Sequence, residues 1–464
     1  MINRKKITTF GAVAGAGACL CLASTTQGGT TAQIETKAKP NILLIFADDL
    51  GYADVGYHGS KEVPTPNIDS IAQNGVQFVT GYVTAPVCSP SRGGLLTGCY
   101  QNRYGGEDNP GPFGATEDTV PGIPLNYKTI GERLQALGYK TGWIGKQHQG
   151  KHPRNNPTKR GFDEFFGFNN GASEYFIKGN RKQRLVRGST PVKYEKDYLT
   201  DAFGREAVDF INRNHKKPFF LYVPFNAVHG PLQVTKTLFN KYSYIKNLKR
   251  RKMVAMLDSM DVNIGKMITA LKKNKVYKNT LIIFLSDNEG KPKGNGSYNR
   301  PLRGQKGQLF EGGIRIPFCM QWPGRIPAGI KYKDAVISLD ILPTAVAAAG
   351  GKIAPDGQLD GVNLMPYITG KDKKAPHKNI YWRFNFSWGI RNNDWKLVYV
   401  KGRKAPMLFN ISKDMSEKKN LINKYPEIAA GLKKDYDKWS ASMMKPQWGW
   451  QPSLVGNTRI KIGH

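Results

Sequence analysis

The 464-residue chain reads as an α/β protein, with a large, mostly parallel sheet sandwiched by helices and a smaller C-terminal α+β domain containing an antiparallel sheet. Three observations predict this. Apolar runs without polar alternation, the pattern of strands buried on both faces, stand at Asn41–Ala47, Phe219–Pro224 and Thr280–Ser286. Helical patterns fall between them, over residues 67–74, 130–137 and 253–271. From about Pro376 the character changes: residues 380–388 and 395–400 read as antiparallel strands, followed by a helix over 425–442 and an extended tail to His464.

The first thirty-two residues have a different pattern. Arg4, Lys5 and Lys6 precede a short Ala- and Gly-rich apolar stretch over 7–23, and small and polar residues follow. This is the pattern of a secretory signal peptide, and the stretch is too short and too weakly apolar for a stable membrane span. Export to the periplasm or the medium is expected. Ala18-Cys19 resembles the end of a lipobox, so lipoprotein anchoring stays open, although Ala16 stands where leucine is usual. The expected organisation is a leader over 1–32, a catalytic α/β domain over 33–375 and a C-terminal subdomain over 376–464.

Each apolar strand ends in a polar cluster. Asp48 and Asp49 follow the first, His229 follows the strand ending at Pro224, and Asp287 and Asn288 follow the strand ending at Ser286. A shorter strand over 140–144 leads to Lys146 and His148. Ligands of largely parallel sheets sit beyond the carboxyl ends of the strands, so these clusters are expected to form one site.

Composition narrows the function. Sixty-nine Lys and Arg against 35 Asp and Glu give a formal charge of +34, while 39% hydrophobic residues exclude a disordered basic tail. The charge selects anionic partners. No basic base-reading helix, RNP-like string or zinc module accompanies it, so nucleic acid is not the expected partner. Five cysteines exclude a disulfide-stapled scaffold or a zinc array. Without the leader, Cys88, Cys99 and Cys319 remain, an odd number. Pairing of Cys99 with Cys319 and two unrelated buried thiols are both open.

The sharpest string is Cys88-Ser-Pro-Ser-Arg-Gly-Gly-Leu-Leu-Thr-Gly98. It fits C-x-P-x-R-x-x-x-L-T-G and resembles the signature of the sulfatase family, whose fold is alkaline-phosphatase-like. The resemblance implies that Cys88 is oxidised to formylglycine, by a formylglycine-generating or anaerobic sulfatase-maturating enzyme. A hydrated aldehyde carries two hydroxyls on one carbon. One attacks the sulfur of a sulfate ester to give a covalent sulfated intermediate, and loss of the proton from the other expels sulfate.

Asp48, Asp49, Asp287 and Asn288 offer hard oxygen donors with no grouped His or Cys, which suits Ca²⁺ or Mg²⁺ rather than Zn²⁺. The resemblance implies Ca²⁺ in preference to Mg²⁺, with residue 88 completing the shell. Gly145-Lys-Gln-His-Gln-Gly150 is similar to the family's G-K-W-H-x-G element, with Gln147 in place of the tryptophan. His229-Gly-Pro231, the stretch from Arg303 through Lys306 to Pro317, and Leu408-Phe-Asn-Ile with Glu417 and Asn420 resemble further family elements. Glu289 is inserted before the glycine expected after Asn288.

These matches imply roles. Lys146 and Lys306 bind the sulfate and stabilise its spreading charge. Arg92 holds the formylglycine hydroxyl. His148 is the base that collapses the intermediate, and His229 (or Lys306) is the acid that protonates the leaving alcohol.

A basic surface outside the site favours a polyanion, so a sulfated poly- or oligosaccharide is the expected substrate. Arg103, Glu107 and Asp108, in the loop 101–109, are candidate sugar contacts, as is the segment 169–187. A phosphoester or phosphonate monoester hydrolase of the same superfamily is the nearest alternative. A non-catalytic polyanion-binding protein is a third reading, against which stands the full set of nucleophile and metal ligands.

Overall fold

The computed structural model describes residues 38–114, 120–179, 185–352 and 359–456. The expected leader, residues 180–184 of the candidate sugar segment and the last eight residues lie outside them. No helix among the described residues is long and apolar enough to cross a membrane.

Among the described residues the main sheet has ten strands. Its centre is five parallel strands in the order Thr280–Ser286, Asn41–Ala47, Phe219–Pro224, Lys140–Lys146 and Glu164–Phe168. Antiparallel neighbours flank them, Phe318–Gln321 on one side and Leu185–Arg187 on the other. The continuous apolar runs follow from burial on both faces. Leu44, Phe46, Tyr222, Ile283 and Leu285 join one core cluster, while Leu43, Ile45, Val223, Ile282 and Phe284 join the other.

Helices Cys88–Thr97, Ile130–Ala136 and Ile341–Ala348 contribute to the first cluster. Helices Pro66–Gln73, Leu199–Asn214 and Leu248–Lys273 contribute to the second. Register then levels the strand ends. Ala47 pairs with Ser286 and Phe46 with Pro224, so the polar residues that follow emerge side by side.

A separate four-stranded antiparallel sheet follows, built from Asn379–Phe384, Ser387–Asn392, Trp395–Tyr399 and Met407–Asn410. The single strand expected over 380–388 is instead a hairpin. Asn385 takes a left-handed backbone (φ 52°), which asparagine tolerates better than most side chains, and the chain reverses there. Helix Pro426–Ala441 packs on this sheet by stacking Tyr436 on Trp388 (4.7 Å) and Trp439 on Tyr381 (4.9 Å). The tail is not simply extended. Trp448–Gly449 pairs with Phe113–Gly114, and Pro452–Val455 forms a helical turn.

Buried polar bonds tie the smaller sheet to segments that flank the main one. Trp382 donates from Nε1 to the carbonyl of Val83 (2.7 Å). Lys396, fully buried, reaches Glu311 at 2.8 Å and Glu417 at 3.0 Å. Removing the cation leaves buried Glu417 with only the Glu311 backbone N–H (2.7 Å) and Glu311 with Arg315 at 3.3 Å as its remaining ion pair. Lys396→Ala is therefore expected to lower unfolding stability by about 3–5 kcal/mol in a denaturant titration. A loss below about 1 kcal/mol, the scale of an exposed pair, would show that the tie is dispensable.

His377 provides a pH-dependent tie. Burial disfavours its charged form, but the Asp340 carboxylate 2.8 Å away outweighs this and raises its pKa above 6.5. A raised folded-state pKa means stabilisation that is complete below the unfolded value of about 6.5 and lost as pH rises through the folded value. The stability difference between wild type and His377→Gln should therefore be largest below about pH 6.5 and shrink as the pH rises above it. A difference that does not change with pH would count against the pair.

Cys88, Cys99 and Cys319 are all buried free thiols, so the open question about Cys99 and Cys319 resolves to two separate thiols.

Candidate active site

Four neighbouring strands deliver their polar ends to one place. Asp48 and Asp49 follow the central strand. Asp287 and Asn288 emerge on one side of it, and Lys146, His148 and His229 on the other. Cys88 enters from the first turn of helix Cys88–Thr97, and Arg92 lies one turn later on the same face. Lys306 comes from the loop ahead of the short helix Glu311–Ile314.

These groups touch. Lys306 Nζ lies 2.5 Å from Asp49 Oδ1 and 3.1 Å from Cys88 Sγ. Lys146 Nζ donates to Asp48 Oδ2 at 2.6 Å, and Cys88 Sγ stands 3.7 Å from Asp48 Oδ1. Arg92 donates through Nε and Nη2 to Asp287 Oδ2 at 3.0 and 2.7 Å, while its buried Nη1 has no partner. His229 Nδ1 bonds to the carbonyl of Gly230 at 2.7 Å, leaving Nε2 facing Asp49 Oδ2 at 3.7 Å. His148 packs its ring against Gly171, where a Cβ would meet Nε2 at 2.7 Å. Its buried Nδ1 has no partner.

Two backbones are strained. Asp49 (φ 60°) and His148 (φ 54°) both take left-handed conformations, a cost that persists only where the surroundings enforce it. Loop 147–155 shows how this is done for His148. Gln147, which stands where the sulfatase pattern has tryptophan, and Gln149 are both buried. Gln147 Oε1 accepts from the Gln149 backbone (2.9 Å), and the two side-chain amides donate to the carbonyls of Asn155 (2.9 Å) and Ser89 (2.7 Å). The inserted Glu289 accepts from the Tyr52 backbone at 2.9 Å.

Burial and charge set the protonation states. Burial opposes ionisation of Asp49, but Lys306 and His229 outweigh it and hold the carboxyl below its usual range. Asp287 is likewise held low, against burial, by Arg92 and Lys146. Burial, reinforced by Lys146, Arg92 and Lys306, keeps His148 well below 6.5 and therefore neutral. Burial pushes the Cys88 thiol to about 12. That sulfur occupies the position of the oxygen that oxidation would place on Cβ.

The donors fit a hard divalent cation. Asp48, Asp49, Cys88 and His229 bring one ligand atom each within 4.8 Å of one another, so a Cys and a His do group with the carboxylates, contrary to the expectation from sequence, because the fold returns residues 88 and 229 to the strand ends. Asn288 turns its amide nitrogen to Asp49 Oδ1 (2.7 Å) and leaves its buried Oδ1 without a hydrogen bond. A buried amide oxygen beside three carboxylates is a ready oxygen ligand.

A cavity of about 570 Å³ opens on Cys88, His148, His229 and Lys306. Asn109, Lys151, Asn170 and Trp450 also line it. The candidate sugar contacts fall elsewhere. Arg103 forms two bonds to Asp360 (2.7 and 2.5 Å), buried Glu107 accepts from Arg383 (2.6 Å), and buried Asp108 accepts from the Asn109 backbone (2.7 Å). None of the three lines the cavity. Asn109 and Asn170 belong to the two expected sugar-binding stretches. Lys151 directly follows the Gly145–Gly150 element, whereas Trp450 has no local signal.

A strand-end cluster of carboxylates and cations around a one-carbon nucleophile position defines a hydrolase of anionic esters. Comparison with known proteins identifies which. The sulfatase family profile matches residues 40–351, and the profile "N-sulphoglucosamine sulphohydrolase, C-terminal" matches 305–442. Mouse arylsulfatase J is 32% identical over 476 residues, covering 88% of this chain and 78% of the relative. Human N-acetylgalactosamine-6-sulfatase is 30% identical, covering 82% and 81%. The solved structure of Ps i-CgsB in complex with k-i-k-neocarrahexaose superposes with a TM-score of 0.83 at 39% identity, covering 89% and 96%. The chain belongs to the sulfatase family and is a sulfuric ester hydrolase.

Proposed function

We propose that this protein is an exported sulfatase that removes sulfate from a sulfated oligo- or polysaccharide. A carrageenan-type galactan is the first substrate to test. The observation that carries the reading is the convergence of Cys88, Lys306, His148 and His229 on a cavity with room for a sugar residue and its sulfate. The similarity to a structure holding an oligosaccharide supports it. Export rests on the leader at residues 1–32, and activity requires a maturating enzyme outside this chain.

Oxidised to formylglycine and hydrated, residue 88 supplies the attacking hydroxyl. The protein's other groups bind and move protons around it. Arg92, with Nη1 free, holds that hydroxyl, and Lys306 and Lys146 balance the charge that spreads over the sulfate oxygens. His148, kept neutral, takes a proton at its free Nδ1. His229 presents Nε2 to the leaving oxygen. Asp48, Asp49, Asp287 and Asn288 hold a divalent cation, with Ca²⁺ preferred because carboxylates and an amide suit its larger oxygen shell. When bound, it supplies positive charge beside the reacting sulfate.

Sulfate release by the matured enzyme from sulfated oligosaccharides, an aryl sulfate, and phosphate and phosphonate monoesters tests the reading. Glycan sulfates should be the best substrates. Hydrolysis of the aryl sulfate with none of the glycans, or preference for a phosphorus ester, would sink it. Metal removal provides a further prediction. Chelation should lower both turnover and melting temperature, because the carboxylates lose a counter-ion bound in the native state. Ca²⁺ should restore both more completely than Mg²⁺, and an enzyme indifferent to chelation would refute the metal site.

A further inference from the structure

The tail beyond residue 442 lies past both matched family regions, yet it is bound closely to the catalytic domain. Met444 donates its backbone N–H to the Asn102 carbonyl (3.0 Å), and Gln447 donates to Gly105 (3.0 Å). Trp448 and Gly449 pair with Gly114 and Phe113, and the buried Trp448 ring donates from Nε1 to the Asp108 carbonyl (3.2 Å). The loop is shaped to receive the tail. A Cβ at Gly111 would stand 2.1 Å from the Gly449 carbonyl, and one at Gly105 would stand 2.7 Å from that of Lys445.

Glu107 and Asp108 take part in this docking. Arg383, which Glu107 holds, also bonds the Met444 carbonyl at 2.5 Å, and Asp108 lies against Gly449. They are positioning residues for the tail. Trp448 and Gly449 are both buried, and the chain leaves the strand at Trp450, which is 58% exposed and lines the cavity containing Cys88.

We infer that Trp450 is the stacking platform for the sugar that carries the scissile sulfate. A sugar ring has an apolar C–H face and a polar rim. A rigid, exposed indole presents a flat apolar surface to that face at little entropic cost. Lys151, Asn109 and Asn170 line the same cavity and offer charged and amide partners to the rim. This deepens the glycan reading and rests on it.

The test compares wild type, Trp450→Ala and Trp450→Phe on a carrageenan-derived sulfated oligosaccharide and on 4-nitrophenyl sulfate. Trp450→Ala should lower kcat/KM on the oligosaccharide about tenfold, chiefly by raising KM, because ground-state sugar binding is what is lost. The loss on the aryl ester should be at least about threefold smaller, and Trp450→Phe should recover most of the oligosaccharide activity. The exposed ring is not part of the core, and a melting curve for each variant checks that the fold is kept. Equal losses on both esters, an unchanged KM, or no recovery with Phe would overturn the platform. A wild-type enzyme that releases sulfate from the oligosaccharide, with Trp450→Ala matching it, defeats the platform alone. A wild-type enzyme that cleaves only the aryl ester defeats the glycan reading and the platform together.

Discussion

Cys88→Ala is expected to abolish sulfate ester hydrolysis, with a loss of at least about 10⁴-fold, because it removes the thiol whose oxidation puts the attacking oxygen on Cβ. The thiol itself cannot replace it. With burial pushing its pKa to about 12, residue 88 stays an un-ionised, poorly nucleophilic thiol at neutral pH. Protein expressed without a maturating enzyme should therefore be as inactive as the variant. The fold should survive, since the change deletes one sulfur whose polar contacts are with Lys306 (3.1 Å) and Asp48 (3.7 Å). Sulfate release, a melting curve and mass spectrometry of the peptide containing residue 88 are the measurements. Turnover above about one per cent in Cys88→Ala, or an unmodified thiol in active protein, would remove residue 88 from the nucleophile position.

Asp48→Ala should damage both activity and stability. Lys146 is fully buried and donates to Asp48, with Arg92 3.7 Å from the same carboxylate. Deleting the carboxylate leaves two buried cations sharing less negative charge, at an expected cost of about 3–5 kcal/mol. It also removes a proposed metal ligand, so turnover should fall by more than about 10³-fold, beyond the effect of losing one electrostatic contact. Asp48→Asn retains the shape and the acceptor oxygen but not the charge, and should recover part of the stability and little of the activity. A denaturant titration and a turnover assay separate the two effects. Wild-type values for Asp48→Ala in both would contradict the site as built.

The strands Asn41–Ala47, Phe219–Pro224 and Thr280–Ser286 were legible to the residue because burial on both sheet faces demands uninterrupted apolar side chains. The helix expected over 253–271 runs instead over Leu248–Lys273, since its charged first turn carries no apolar signal. Cys88 and Arg92 were legible because their motif is local, within one helical turn. The loop 101–109 reads as a sugar-contact loop in sequence, but its Arg103, Glu107 and Asp108 are engaged within the protein and do not line the cavity. Arg103 pairs with Asp360 and Glu107 with Arg383, partners more than 250 residues away in sequence, which no local pattern reveals.

Sequence alone determined the chemistry available: a nucleophile motif, hard oxygen donors at strand ends and cations to meet an anion. Residue type and short spacing encode these, and a parallel sheet gathers strand ends wherever its register falls. Tertiary structure decided the protonation state of His148, the left-handed backbones of Asp49 and His148, and the return of a distant tail that brings Trp450 to the cavity. Each of these depends on desolvation, strain or packing summed over groups remote in the chain, and such sums exist only once the chain has folded.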